Sequence, residues 1–271
     1  MTGVDETMRW LIFGPLVCIA LSGPAASAPL QRPDVSGFWQ HTPIAEYEAV
    51  PGRPGPVFDR KHPLSPTNFQ VALEGNHDNP ILQSWAAAEV KKRADAANAG
   101  RPMPTPQEVC EHSGVPNVIT LPAPVLFIQQ PHQVLILYQR DHQVRRVRMN
   151  VPHSPNPTPS WYGESVGHYE GDTLVVDTIG MNDRTPVDIF GTPHTNALHV
   201  VERYRLIDDG KQMEVVFTVD DPGAFTAQWS ARMVYGRSNA RELTEEVCAE
   251  NNLDVVTQEI YPIPASASPD F

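Results

Sequence analysis

From Val125 onward the chain is divided into short runs of alternating apolar and polar residues separated by turn signals, and this pattern constrains the fold more than any other feature. Alternation with a period of two marks a strand that lays one face on a core. The runs are Val125 to Gln129, Gln133 to Asp141, Gln143 to Met149, Trp161 to Tyr169, Thr173 to Thr178, Ala197 to Ile207, Gln212 to Val219, Ala227 to Tyr235 and Glu242 to Cys248. Glu170-Gly171-Asp172, Asp208-Asp209-Gly210 and Asp221-Pro222-Gly223 supply turns between several of them. Nine such runs, with a tenth around Trp39, predict a closed or nearly closed antiparallel β-barrel.

The residues before Val125 read differently. In Asp34-Val35-Ser36-Gly37-Phe38-Trp39-Gln40, the Gly37-x-Trp39 spacing is the one by which lipocalin-like barrels begin their first strand. Residues 42 to 80 carry many of the 28 prolines with little periodicity, which predicts an extended wrapping segment. Ile81 to Ala99, rich in Ala, Lys and Glu, is the helix candidate, entered at Asn79-Pro80 and stopped at Gly100. Residues 101 to 124 are again punctuated by proline. The expected fold is therefore mainly β, a lipocalin-like antiparallel barrel of about eight to ten strands with one inserted helix. Residues 29 to 124 hold the first strand, the wrapping segment and the helix, residues 125 to 262 the main barrel, and residues 263 to 271 a disordered tail.

At the start of the chain, the apolar run Leu11 to Leu21 and the small residues Ala25-Ala26-Ser27-Ala28 predict a secretory signal over residues 1 to 28, with Met8 as initiator and Arg9 as its positive residue. That run is too short to span a bilayer, and none follows it. The formal charge of −12 repels phosphate backbones and anionic lipid, so nucleic acid is excluded as a partner and no membrane span is expected. Cys110 and Cys248 are the two cysteines outside the signal. In an oxidising compartment an even pair predicts a disulfide, which would add ~4 kcal/mol by closing so long a loop.

The stretch Trp161-Tyr162-Gly163-Glu164-Ser165-Val166-Gly167-His168-Tyr169-Glu170-Gly171-Asp172-Thr173-Leu174-Val175-Val176-Asp177-Thr178 resembles a family of uncharacterised secreted bacterial proteins. Pro193-His194-Thr195, Glu202-Arg203-Tyr204, Asp221-Pro222 and the run from Glu245 to Asn252 are similar to further landmarks of that family. The likeness covers roughly residues 110 to 252, with Asn150-Val151-Pro152 and Tyr169 as departures. It implies the barrel and export, and no reaction.

Gly163-Glu164-Ser165-Val166-Gly167 matches the G-x-S-x-G string of serine hydrolases, whose serine sits on a strand-to-helix turn. Here the string leads into a Glu-Gly-Asp turn and another strand, so it belongs to a hairpin. Its alternation places small residues between Trp161 and Tyr169, which lets a side chain or ligand approach the backbone. In Leu198 to Leu206 the apolar face carries Glu202 at its centre. A carboxylate there either shifts its pKa for proton transfer or needs an ionic partner, and Arg145 is available on the apolar face of its own run. Glu245, between Leu243 and Val247, is expected to be a third inward charge. The loop from Asp188 to Thr195 brings Asp188 and His194 to one end of the barrel.

Although the chain has ten histidines, His199 and Glu202 fall on opposite faces of one strand and no H-E-x-x-H occurs, so no metal is expected. No cofactor fingerprint is present. Arg140, Arg145, Arg146 and Arg148 form a basic cluster of which one member is suited to orient an anion. The expected activity is acid-base chemistry, such as elimination, isomerisation or hydrolysis, on a small, partly apolar organic molecule. Glu202, His194 and Arg145 would act on it, and Tyr162, Ser165, His168, Asp188, Tyr204 and Glu245 would contact it. The alternatives are a lipocalin-like carrier that uses the same groups for orientation, and an accessory protein with a filled core.

Overall fold

A computed structural model describes residues 32–40, 47–57, 75–140, 142–252 and 260–263. The expected signal, much of the proline-rich stretch and nearly all of the expected tail lie outside the described residues. The elements in chain order are β1 (Gly37–Gln40), β2 (Glu48–Ala49), α1 (Ser84–Asn98), β3 (Val125–Gln129), β4 (Gln133–Tyr138), β5 (Val144–Met149), β6 (Glu164–Glu170), β7 (Thr173–Ile179), β8 (His199–Ile207), β9 (Gln212–Asp220), β10 (Trp229–Arg237) and α2 (Cys248–Asn251).

Nine strands close into a ring in the order β1-β3-β4-β5-β6-β7-β8-β9-β10, with β10 returning to β1. Below Arg237, which pairs with Trp39, β10 takes β2 as a second partner, with Ala231 opposite Ala49. Two segments of the N-terminal region, β1 and β2, thus both lie along β10. Neighbours are antiparallel except at one place, where β5 and β6 run parallel through Val147, Arg148 and Met149 against Ser165, Val166 and Gly167. Parity requires this exception. Each antiparallel step reverses strand direction, so a closed ring must contain an even number of such steps, and a ring of nine must include at least one parallel pair. The expected antiparallel barrel is present with this one parallel step, for which the chain returns along residues 150–163 before entering β6.

The observed strands follow the alternation of the sequence, with buried residues at every second position of β4, β5 and β9. The inward row builds a core in which Trp39, Phe127, Tyr204, Phe217 and Trp229 are fully buried. Each such side chain contributes about 1.5–3 kcal/mol by leaving water. Glu242 to Cys248 forms no strand, contrary to expectation. The ring already closes through β10, β1 and β2, which leaves no open edge for that charged run to join, and Glu245 is exposed. β6 also starts later than the sequence suggests, because Gly163 adopts φ +62° and breaks the extended path at Tyr162. A Cβ at Gly163 would lie 2.4 Å from the Ile179 carbonyl oxygen, so only glycine fits.

The registers put residues 113–124, 139–143, 180–198 and 221–228 at one end of the barrel, while the tight connections 130–132, 171–172 and 208–211 lie at the other. The long-loop end is covered. Ser113 to Thr120 are all buried, and Tyr235 of β10 donates a 2.5 Å hydrogen bond to the Ile119 carbonyl. α1 buries Ala86, Val90 and Ala94, a stripe with helical spacing, and stops where Gly100 takes φ +72°. Its base is tied to the β9–β10 loop by Gln83 N–H to the Ala224 carbonyl and Trp85 Nε1–H to the Gly223 carbonyl. Cys110, just before the buried segment, forms a disulfide with Cys248 at the start of α2. The predicted bridge is present.

Candidate functional site

Arg145 and Glu202 meet in the barrel interior, as their alternation suggested. Arg145 on β5 reaches over β6 and β7 to Glu202 on β8 because the residues beneath it are small: Ser165 lies opposite Thr178, and Gly167 follows on the same row. A Cβ on Gly167 would come within 2.8 Å of Val147. The small residues of the G-x-S-x-G string therefore make room for a guanidinium, and Ser165 is one of its acceptors on a strand.

Every guanidinium N–H has an acceptor. Nε donates to Ser165 Oγ at 2.9 Å. Nη1 donates to Glu202 Oε1 at 2.9 Å and reaches Tyr138 Oη at 3.4 Å. Nη2 donates to Thr178 Oγ1 at 2.6 Å and to Glu202 Oε2. Tyr204 Oη completes the set by donating to Glu202 Oε1 at 2.5 Å. Burial works against the Arg145 charge, yet the adjoining Glu202 carboxylate outweighs it and holds the guanidinium pKa well above its ordinary value. Burial, reinforced by Glu202, likewise raises the Tyr204 hydroxyl, which keeps its proton and remains a donor. The side chains of Arg145 and Glu202 are 2% and 0% exposed. With both side chains enclosed and hydrogen-bonded to one another, the pair is a buried, charge-compensated network within the core.

The other expected residues do not join this cluster. His194 is buried in the 180–198 loop, with Nδ1 2.8 Å from the Thr195 carbonyl oxygen and Nε2 3.2 Å from Thr185 Oγ1. Burial lowers its pKa, and these partners assign a neutral imidazole that donates from Nδ1 and accepts at Nε2. Asp188 is also buried there; its Oδ1 accepts the Phe190 and Thr192 N–H groups, each at 3.0 Å. Burial nevertheless raises its carboxyl to about 6, against the pull of the Thr192 hydrogen bonds. His168 is exposed on the outer wall beside Glu170. Glu245 belongs to no strand.

The outer wall holds groups that the strand pattern did not single out. His153, on the return segment 150–163, bridges Glu164 Oε1 at 3.1 Å and Asp177 Oδ1 at 2.9 Å, and His199 Nε2 lies 2.9 Å from the same Asp177 oxygen. Ser154 donates its N–H and hydroxyl to Glu164, each at 2.6 Å. Chiefly through the Ser154 hydroxyl, Glu164 is lowered to about 2, while the hydrogen bond that His199 donates to Asp177 raises the His199 pKa. The only advance signal is the outward position of Glu164, Asp177 and His199 on consecutive strands; nothing in the aperiodic segment points to His153. Among the described residues, no three His, Cys, Asp or Glu side chains are placed to hold a metal ion.

Beside this cluster the wall is parted. The backbone of Val144, Arg145 and Arg146 is not paired with β6, since the chain leading to β6 diverges at Gly163. A solvent-open groove of about 370 Å³ lies along this gap, bordered by Val144, Arg146, Arg148, Pro157, Tyr162 and Glu164, with Arg145 and Ser165 reaching it from within. Fold and site together define a class: a nine-stranded mixed barrel with an enclosed ion pair and an open groove at its single parallel seam. Comparison with known protein families matches the chain to none of them, and comparison with curated proteins finds no relative.

Proposed function

We propose that the protein is an exported binding protein for a small, partly apolar organic molecule, which it holds at the parallel seam and releases unchanged. The observation that carries this reading is the contrast between the two polar sites. The interior carboxylate is fully buried and engaged by Arg145 and Tyr204, whereas the seam groove is open and, at about 370 Å³, has the size of a small-molecule pocket. The Cys110–Cys248 disulfide and the signal-like residues 11–28 support export, because such bridges persist in oxidising compartments.

The test is to incubate purified protein with a low-molecular-weight extract of bacterial culture and to compare retained and consumed compounds by mass spectrometry after gel filtration. A compound retained in stoichiometric amount and recovered intact is expected. Steady consumption of any compound would overturn the binding reading in favour of acid-base catalysis.

A further inference from the structure

We infer that the seam groove selects a small organic carboxylate with an apolar body, held by Arg146. This inference rests on the binding reading above and names the ligand class of that same site.

Charge accounting points to Arg146. Of the four arginines between residues 140 and 148, Arg140 meets Glu246, Arg145 meets Glu202 and Arg148 meets Glu164. Arg146 is exposed and has no carboxylate partner among the described residues. The chain carries a formal charge of −12, so an uncompensated guanidinium on a groove wall is a local reversal of sign. It would draw an anion to one point on a surface that otherwise repels it. A planar guanidinium matches a carboxylate by two parallel N–H bonds.

The neighbours of Arg146 supply the apolar half. Within β5 the inward row is Arg145, Val147 and Met149, so Val144, Arg146 and Arg148 point outward. Arg146 lies opposite Leu135 and Val144 opposite Leu137, and both leucines belong to the outward, half-buried row of β4. Val144 is 57% exposed. A ligand with its carboxylate on Arg146 would therefore lay a hydrocarbon or aromatic body along Val144 and toward Pro157 and Tyr162, which border the same groove. The carboxylate of Glu164 on the facing wall, held ionised by Ser154 and His153, disfavours a second negative charge. A monocarboxylate is thus favoured over a dicarboxylate or phosphate.

The proposal is tested by titrating hexanoate, hexanol and inorganic phosphate into the full-length protein and its Arg146→Ala and Arg146→Lys variants, using calorimetry and amide chemical shifts. Arg146 is exposed, so unchanged melting temperatures will confirm that the variants fold. Saturable hexanoate binding with shifts at Val144 to Arg148 and Tyr162 is expected, weakened about tenfold or more by Arg146→Ala and less by Arg146→Lys, with hexanol and phosphate much weaker. Hexanol binding as tightly as hexanoate, or hexanoate binding untouched by Arg146→Ala, overturns the carboxylate assignment and leaves the binding reading standing. Should no probe bind at millimolar concentration while the culture extract still yields a retained compound, the ligand class is again wrong and the binding reading survives. Failure of both experiments removes both.

Discussion

Replacing Glu202 with Gln tests whether the buried pair is structural. The substitution keeps the volume, and Gln Oε1 can still accept from Tyr204 and one guanidinium nitrogen. Its amide, however, turns two N–H donors toward Arg145 Nη2, which is itself a donor and now carries an uncompensated charge in a site that is 2% exposed. Breaking one side of a buried pair costs about 3–5 kcal/mol, a large share of the roughly 5–15 kcal/mol by which a domain is stable. For a domain of this size each kcal/mol lowers Tm by about 2–4 °C, so Glu202→Gln is expected to melt roughly 6–20 °C below the wild type. Adding Arg145→Met removes the stranded charge, and the Gln amide can then donate to Thr178. The double variant should be more stable than the sum of the single losses predicts, with a coupling of about 1–3 kcal/mol. Urea and thermal unfolding of the four proteins, followed by circular dichroism, complete the cycle. A Glu202→Gln loss below about 1 kcal/mol, or strict additivity, would refute the structural reading, since a saturated and enclosed pair has no route to either result.

Asp188 carries a pH-dependent prediction of unusual sign. Its folded pKa, raised to about 6, stands above the unfolded value, so folding favours the protonated carboxyl; this contribution is fully present below about pH 4 and is lost as pH rises through about 6. The shift corresponds to about 3 kcal/mol, and Asp188→Asn should gain on the wild type by up to that amount between pH 4 and pH 8; stability curves that run parallel would count against the assignment. Serine at both Cys110 and Cys248 is expected to cost about 2–5 kcal/mol, and to increase amide exchange at Val118 and Ile119 before exchange in β8 and β9 rises. Unchanged protection at Ile119 would show that the bridge does not steady the covering segment.

Much of the barrel was legible because alternation is a local signal. Val125 to Gln129 matches its strand, and Gly37-x-Trp39 falls in β1. The Arg145–Glu202 contact could be read from two charges on apolar faces, each of which needed a partner. Glu242 to Cys248 misled because its alternation of Leu243, Glu245 and Val247 looks like a strand, while pairing depends on a free edge, which the closed ring does not offer. The parallel seam was hidden for a related reason: strand direction follows from how many strands close the ring, which no single run records. His153 comes from a segment without periodicity and meets Asp177 only through the return path of the chain. The groove depends on the same seam, so it too had no local signature.

Closure of the ring has a consequence for the order of events during folding. The final rungs join Trp39 to Arg237 and Ala49 to Ala231, so the first strand must find the last before any edge disappears. Until then β1, on its side away from β3, and β10 both present unsatisfied backbone groups, the state in which sheets recruit neighbouring chains. Contacts so distant in sequence make for slow folding. A chain that ends before Trp229 also meets a problem of direction: β1 and β9 are parallel to one another, each being antiparallel to β10, so an eight-stranded ring would need a second parallel seam. Synthesis from the first residue onward therefore keeps both edges open until nearly the whole chain has emerged, and the segment from Trp229 to Arg237 acts as the kinetic commitment of the fold.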